Sequence, residues 1–251
     1  NASLSVSATA GDGGTLSYQW FKSGVAITNA TSDTYSLTGV ATSDSGSYLV
    51  EVTNTLGGIS TSTISTTATL TVASALSIAT PTTGLSGTAD SAFSLSVAGS
   101  GGRASLSYAL TGTLVSGLSM STSTGTISGT PNATGSSTVS VAVTDANGVT
   151  ASTSSFTISV GYASTTVSLA LASASPQYRL TNRITATTSR AGTVNFMLGG
   201  TSIVGCEAVA AATTTATCDW VPVDLGVAAL SAEFTPTTST YSNSTTSLSP
   251  T

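Results

Sequence analysis

The sequence predicts an all-β chain of tandem sandwiches, and three observations carry that expectation. Apolar residues alternate with Ser or Thr in many short runs. Gly, Asn and Asp clusters of turn-forming type punctuate the runs at the spacing expected of a sandwich. No stretch joins a 3.6-residue apolar period to helix caps.

In chain order, Leu4-Ser5-Val6-Ser7 is the first period-two run, and period two marks a strand with one buried face. Gly11-Asp12-Gly13-Gly14 turns the chain into Leu16-Ser17-Tyr18-Gln19-Trp20, and Gly57-Gly58 separates two later runs. Thr69-Leu70-Thr71-Val72 closes this first set. Phe93-Ser94-Leu95-Ser96-Val97 then precedes the turn Gly99-Ser100-Gly101-Gly102. Val139-Ser140-Val141-Ala142-Val143 leads to the hairpin signal at Asn147-Gly148, followed by Phe156-Thr157-Ile158-Ser159-Val160. The last set opens with Val167-Ser168-Leu169-Ala170-Leu171 and turns at Gly199-Gly200.

Twice an apolar run that would close a sandwich passes through a very short linker into a new first strand, near residues 73 and 161. Three domains are therefore expected, 1–73, 74–160 and 161–251, each near the size of a small sandwich. Linkers this short are not flexible tethers, so the expected assembly is an elongated, semi-rigid rod.

Composition narrows function by exclusion. Ser and Thr number 46 and 50 among 251 residues, charged residues make up 6 %, and there is no histidine. Without histidine there is no Ser-His-Asp or Cys-His machinery and no His-ligated metal, so no enzyme and no cofactor are expected. Five cations against ten anions cannot neutralise a nucleic-acid backbone. No run approaches the length of a membrane span, and no basic segment leads into an apolar signal core. An export signal or anchor is expected to have been removed or to lie outside these residues. Hydrophobic residues at 39 %, set in alternation, argue for a folded chain over a disordered one.

Local motifs add resemblances to known families. Trp20 within Leu16–Gly24, followed by Asp44-Ser45-Gly46-Ser47-Tyr48, resembles intermediate-set immunoglobulin-like (Ig-like) domains of bacterial surface proteins. The resemblance implies that Trp20 is the core tryptophan and that Asp44 and Tyr48 form the tyrosine corner. The inter-sheet cysteines of that family are absent, with Tyr18 and Val50 expected in their places. Leu4–Ala8 reads as a second strand with no first strand before it.

Gly117-Leu118-Ser119-Met120 through Thr124-Gly125-Thr126-Ile127-Ser128-Gly129-Thr130-Pro131 resembles the putative-Ig, cadherin-like or dystroglycan-type module. Physically, Thr124-Gly125 turns a hairpin, Ile127 anchors the next strand in the core, and Gly129-Thr130-Pro131 ends it. The acidic motifs by which cadherins bind calcium are missing, so calcium is not implied. The third domain, with Gly192-Thr193-Val194-Asn195-Phe196, Cys206 and Ala216-Thr217-Cys218, resembles bacterial Ig-like repeats. Cys206 and Cys218 stand on two runs separated by a turn-prone stretch. A disulfide between facing strands is the favoured expectation, against two buried free thiols. A formed bond would imply an oxidising, extracytoplasmic compartment.

Other candidates have bland readings beside them. The ten carboxylates show no glycosidase-like pairing. Asp44 and Asp145 read as turn-shaping residues rather than calcium ligands. Trp220 reads as packing more readily than as a sugar platform with Tyr178 or Tyr241. Asn29, Asn132 and Asn243, like Asn1, fit the glycosylation acceptor triplet, which a chain this rich in Ser and Thr also produces by chance.

The expectation is a non-catalytic extracellular or cell-surface protein, the stalk or self-assembling subunit of a bacterial filament, adhesin or surface layer. Its expected partners are copies of itself or further Ig-like domains, with surface glycans as a further class. The strand edges at Leu4 and Leu248 point either to a longer parent chain or to strand exchange between subunits. The alternative is a carbohydrate-binding accessory region of a large secreted hydrolase.

Overall fold

The computed structural model describes residues 1–173, 178–223 and 229–248. Ser249, Pro250 and Thr251, which belong to the expected terminal strand edge, lie outside the described residues. Among those described, the chain is all-β, and its one helical element is a single 3-10 turn at Thr42–Asp44. It falls into two compact units. One comprises Asn1–Ser77 with Ser100–Ser105 and Asp145–Val149. The other comprises Ile78–Gly99, Leu106–Thr144 and the described residues from Thr150 onward.

The first unit holds β1 (Ala2–Ser5), β2 (Thr15–Lys22), β3 (Val25–Ala26), β4 (Thr34–Leu37), β5 (Gly46–Leu56), β6 (Ile59–Ile64) and β7 (Ala68–Leu70). One sheet is only the antiparallel pair β1–β4. The facing sheet runs β3-β2-β5-β6, with β7 also on β5. Gly57 and Gly58 form the two-residue loop between β5 and β6, both with positive φ, the conformation that matches a hairpin to strand twist. The core is small: Trp20, Ala30 and Val50 are buried, and Leu4, Val6, Tyr18, Ile27, Tyr35 and Val52 pack around them partly exposed. Tyr35 on β4 links the sheets, with ring centroids 6.2 Å from Trp20 and 6.1 Å from Tyr48.

One expectation is corrected here. Tyr18 and Val50 do not stand where an inter-sheet disulfide would, because β2 and β5 are neighbours in one sheet. Tyr18 registers with Val52, and Val50 with Trp20. The residues that face β5 from the other sheet lie on β1 and β4, so a bridge across the sandwich would need Leu4 or Val6 rather than Tyr18.

The chain continues through β8 (Ser77–Ile78), β9 (Ser86–Thr88), β10 (Phe93–Ser96), β11 (Gly99–Ser100), β12 (Ser107–Thr111), β13 (Leu118–Met120), β14 (Thr126–Gly129), β15 (Gly135–Thr144), β16 (Thr150–Ser152) and β17 (Phe156–Gly161). In the second unit, β10-β14-β13 form one sheet and β12-β15-β17-β9 the other, with β16 on β15. Inward positions alternate strictly: Val139, Val141 and Val143 on β15 and Phe156, Ile158 and Val160 on β17 are all buried. Ile127 is fully buried on the central strand β14, opposite Leu95 on one side and Met120 on the other. Gly125, at φ +69°, makes the preceding turn, where a Cβ would lie 2.5 Å from the Val97 carbonyl oxygen.

The same unit carries β18 (Val167–Leu171), β19 (Asn182–Thr188), β20 (Gly192–Leu198), β21 (Thr201–Ser202), β22 (Val209–Ala211), β23 (Thr215–Trp220), β24 (Leu230–Pro236) and β25 (Ser244–Leu248). The sheets are β18-β19-β23 and β21-β20-β24-β25, with β22 on β20. Ile184, Val194, Phe196, Leu230 and Phe234 are among the side chains that fill the space between them.

Truncating Ile127 to Ala removes a fully buried side chain at the centre of its sheet. It is expected to cost about 2–5 kcal/mol, read as a lowered denaturant midpoint by tryptophan-independent circular dichroism.

Candidate functional site

Charged side chains are few, and several of them hold backbone turns. Asp44 closes the 3-10 turn by accepting the Ala41 N–H at Oδ2, 2.8 Å away, and its carbonyl accepts the Tyr48 hydroxyl at 2.7 Å. Tyr48 is buried, which pushes its hydroxyl above the usual phenol range, and the nearby Asp44 charge adds to that shift. Lys22 donates to the Ser43 carbonyl oxygen and lies 5.9 Å from the Tyr48 ring centre, so it braces the same corner from outside.

Asp145 is a second such device. Its Oδ2 accepts the Arg103 N–H, and its Oδ1 accepts the N–H groups of Asn147 and Val149, each at 2.9 Å. The Arg103 amide is the leading reason that its carboxyl sits below the ordinary carboxylate range, with Val149, Asn147 and the Arg103 charge adding to the effect. Only glycine fits at 102, where a Cβ would lie 3.0 Å from the Asp145 Cβ and 2.9 Å from Leu76 Cδ1. The Gly102 N–H donates to the Ser74 carbonyl at 2.8 Å, so the segment after the first closing run is pinned to this turn.

In the second unit, Cys206 and Cys218 form a disulfide, with Cα atoms 5.7 Å apart. Cys218 lies on β23 of one sheet, while the Cys206 carbonyl accepts the Phe196 N–H of β20 in the facing sheet, so the bond ties the two sheets together. Beside it, Arg183 on β19 grips Asp219 in two hydrogen bonds of 2.7 and 2.8 Å. Both side chains are about half exposed, so the pair adds little to stability. Trp220 is partly buried against the same core, and with Asp219, Leu198 and Val221 it lines an open cleft of about 520 Å³.

A polar cluster absent from the reading of the sequence joins Asp90, Arg190, Thr240 and Tyr241. Arg190 lies 4.6 Å from the Tyr241 ring centre, and the Thr240 hydroxyl donates to Asp90 Oδ2 at 3.3 Å. A hydrogen bond to Asp90 is the main cause of the raised Tyr241 hydroxyl pKa. Asp90 and Thr240 are 150 positions apart in the chain, and no local pattern announces their meeting.

Asn29, Asn132 and Asn243 are all exposed, and Asn29 sits in a turn at φ +63°. Trp20 and Ile127 lie in different cores, and the candidate residues form no single constellation. Among the described residues, no three His, Cys, Asp or Glu side chains cluster to hold a metal ion.

Residues 75–161 match the family described as Putative Ig domain. No curated protein matches the chain. Among solved structures, extracellular domains 3–5 of Drosophila OTK align over 94 % of this chain and 85 % of their own, at 12 % identity and a TM-score of 0.28. The D00-D0 domain of intimin aligns over 70 % of this chain and all of its own, at 16 % identity and a TM-score of 0.28. The fibronectin(III)-like modules of Clostridium thermocellum CbhA align over 70 % and 93 %, at 18 % identity and a TM-score of 0.27.

Two outcomes follow from these contacts. Because its folded pKa lies below the ordinary 3.8, Asp145 stabilises the fold at pH values above 3.8, and that contribution disappears as pH falls through the folded value. Asp12 and Asp219 are lowered too, so acid should destabilise the wild type, and Asp145→Ala should show a shallower loss in urea titrations below pH ~4. Replacing Cys206 and Cys218 together by Ser should cost about 2–4 kcal/mol, seen as a lower melting temperature that reductant no longer affects.

Proposed function

We propose that this chain is a non-catalytic part of an extracellular surface protein, and that its sandwiches serve as structural elements that assemble side by side or end to end. The observation that carries the reading is the chemistry of the solvent faces. Adjacent strands meet outside the core through paired hydroxyls, Thr53 with Ser62 at 2.8 Å, Thr55 with Ser60 at 2.9 Å and Thr138 with Thr157 at 3.0 Å. Such faces are polar and almost uncharged, Glu51 being the one ionisable side chain beside Thr53 and Thr55 on β5, so a second surface of the same kind can approach with little charge to bury. The Cys206–Cys218 bond supports an oxidising compartment outside the cytoplasm. Subunit of a filament, adhesin stalk and surface-layer element are three forms of this role.

A second reading has its own observation. The cleft that Trp220 lines also carries Thr201, Ser202 and Asp219, a combination of apolar ring and polar groups that suits a sugar. That arrangement supports a carbohydrate-binding accessory role within a secreted enzyme.

Electron microscopy of native material with mass determination separates these readings. Regular fibres or layers are the expected result. Particles of one chain that bind a glycan array, with binding lost in Trp220→Ala, would replace the assembly reading with the second one.

A further inference from the structure

The connection from β17 to β18 is tied to a sandwich at each end. The Ala89 N–H, just past β9, donates to the Gly161 carbonyl at 3.0 Å and holds the end of β17 to the sheets before it. Two residues on, Ala163 belongs to the next sandwich. Its N–H donates to the Thr240 carbonyl and its carbonyl accepts the Ser242 N–H, each at 2.9 Å, in a parallel bridge with Tyr241. Thr165 is buried there and donates its hydroxyl to the Ser242 carbonyl at 2.7 Å. Tyr162 stands between the two sets of bonds, 60 % exposed, and a single residue whose φ and ψ can change is enough for a hinge.

A second attachment, away from the linker, would stop the swing, and Asp90 makes one. It sits in the turn of residues 88–91, which the Ser91 N–H closes on the Thr88 carbonyl at 3.2 Å. The Asp90 N–H donates to the Pro131 carbonyl at 2.8 Å, so the turn is fixed within its own sandwich. The partners of the carboxylate lie in the other one. Thr240, buried in the loop between β24 and β25, donates its hydroxyl to Oδ2, and the neighbouring Tyr241 hydroxyl donates to the same carboxylate. Arg190 backs the Tyr241 ring. The backbone gives this contact weight. Asp90 has φ +57° at the third position of its turn, where glycine or asparagine is usual. An L side chain strained in this way persists where its surroundings hold it, and what holds this side chain is the other sandwich.

We propose that Asp90 is a clasp that locks the two sandwiches of the second unit into one stiff segment, tying the β9–β10 turn to the β24–β25 loop across the hinge at Tyr162. A hydrogen bond to a carboxylate is about twice as strong as one between neutral groups, so a single acid suffices where the partners are hydroxyls. An open hollow of about 520 Å³, lined by Asp90, Arg190 and Tyr241 among others, borders the contact and leaves room for the movement that the clasp prevents. The inference goes beyond the assembly reading and does not rest on it, because stiffness within the second unit is a property of one chain.

The test is time-resolved energy transfer in the full chain at high dilution, between dyes on Ser123→Cys and Ala170→Cys, exposed positions one in each sandwich. The native cysteines are buried and bonded to each other, so they take no dye. Donor decay over nanoseconds is faster than hinge motion between domains and therefore records the spread of distances. The otherwise unchanged chain is expected to give one narrow distribution. Asp90→Gly suits the positive φ, so the turn keeps its shape while the carboxylate is gone, and the narrow distribution should be lost. Thr240→Val combined with Tyr241→Phe leaves Asp90 in place, removes both donors and should have the same effect. A broad distribution with Asp90, Thr240 and Tyr241 all present overturns the lock. A narrow one retained in Asp90→Gly overturns Asp90 as its cause. A narrow one retained in the double variant traces the stiffness to the turn's backbone and overturns the carboxylate contact. Assembly is read separately by electron microscopy, so failure of the clasp leaves that reading standing.

Discussion

Everything in this fold depends on strands that are apolar on one side and hydroxylic on the other, because a sheet of that kind is stable only when its apolar face is covered. In the second unit the cover is complete. Two three-stranded sheets each meet a larger partner sheet, and Ile127, Ile158, Phe196 and Phe234 vanish from solvent. In the first unit the same alternation faces a sheet of two strands, and its inner face is covered only in part. Trp20, Tyr35 and Tyr48 then carry the packing that chains of Val, Leu and Ile carry elsewhere. Large rings suit this task, since each buries much apolar area from a single position.

The second constraint is the scarcity of charge. In an ordinary domain, charged side chains cover the surface and turns are left to glycine and asparagine. Here Asp44 and Asp145 serve as acceptors for backbone amides in turns, and Arg183 with Asp219 braces two adjacent strands. Each is a short local device beside a strand end or along a ladder. The broad faces are left to Ser and Thr, whose hydroxyls pair with one another across strands. Electrostatics thus shapes loops in this protein, while hydroxyl pairing and burial shape the sheets.

How much of this could be read from residues alone follows from range. Alternation is local, so the all-β class and most strands were legible, and so were the Asp44–Tyr48 corner and the hairpin before Ile127, whose partners lie within a few residues of each other. The Cys206–Cys218 pairing was legible because the chain has only two cysteines. What failed was placement across sheets. Tyr18 was expected in the place of an inter-sheet cysteine, yet sheet membership is set by which strand pairs with which, and β2 pairs with β5. The Asp90–Arg190–Tyr241 cluster and the Arg103 amide on Asp145 were beyond reach for the same reason, since those partners come from distant loops, whereas the Asn147 and Val149 amides belong to the turn that Asp145 was read as shaping.

Sheet edges connect these points. A protein can protect an exposed edge by placing charge on it, but this chain has one lysine, Lys22, and β2, which carries it, lies between β3 and β5 inside its sheet. The four arginines are likewise engaged: Arg103 at the Asp145 turn, Arg183 on Asp219, Arg190 on Tyr241 and Arg179 against Tyr178. An uncharged edge beside an uncovered apolar floor is a liability for a chain that must stay alone. In the second unit the same alternation of apolar and hydroxyl-bearing residues is closed by a full facing sheet, so what distinguishes the first sandwich is the number of strands that cover its inner face and not the chemistry of the strands themselves.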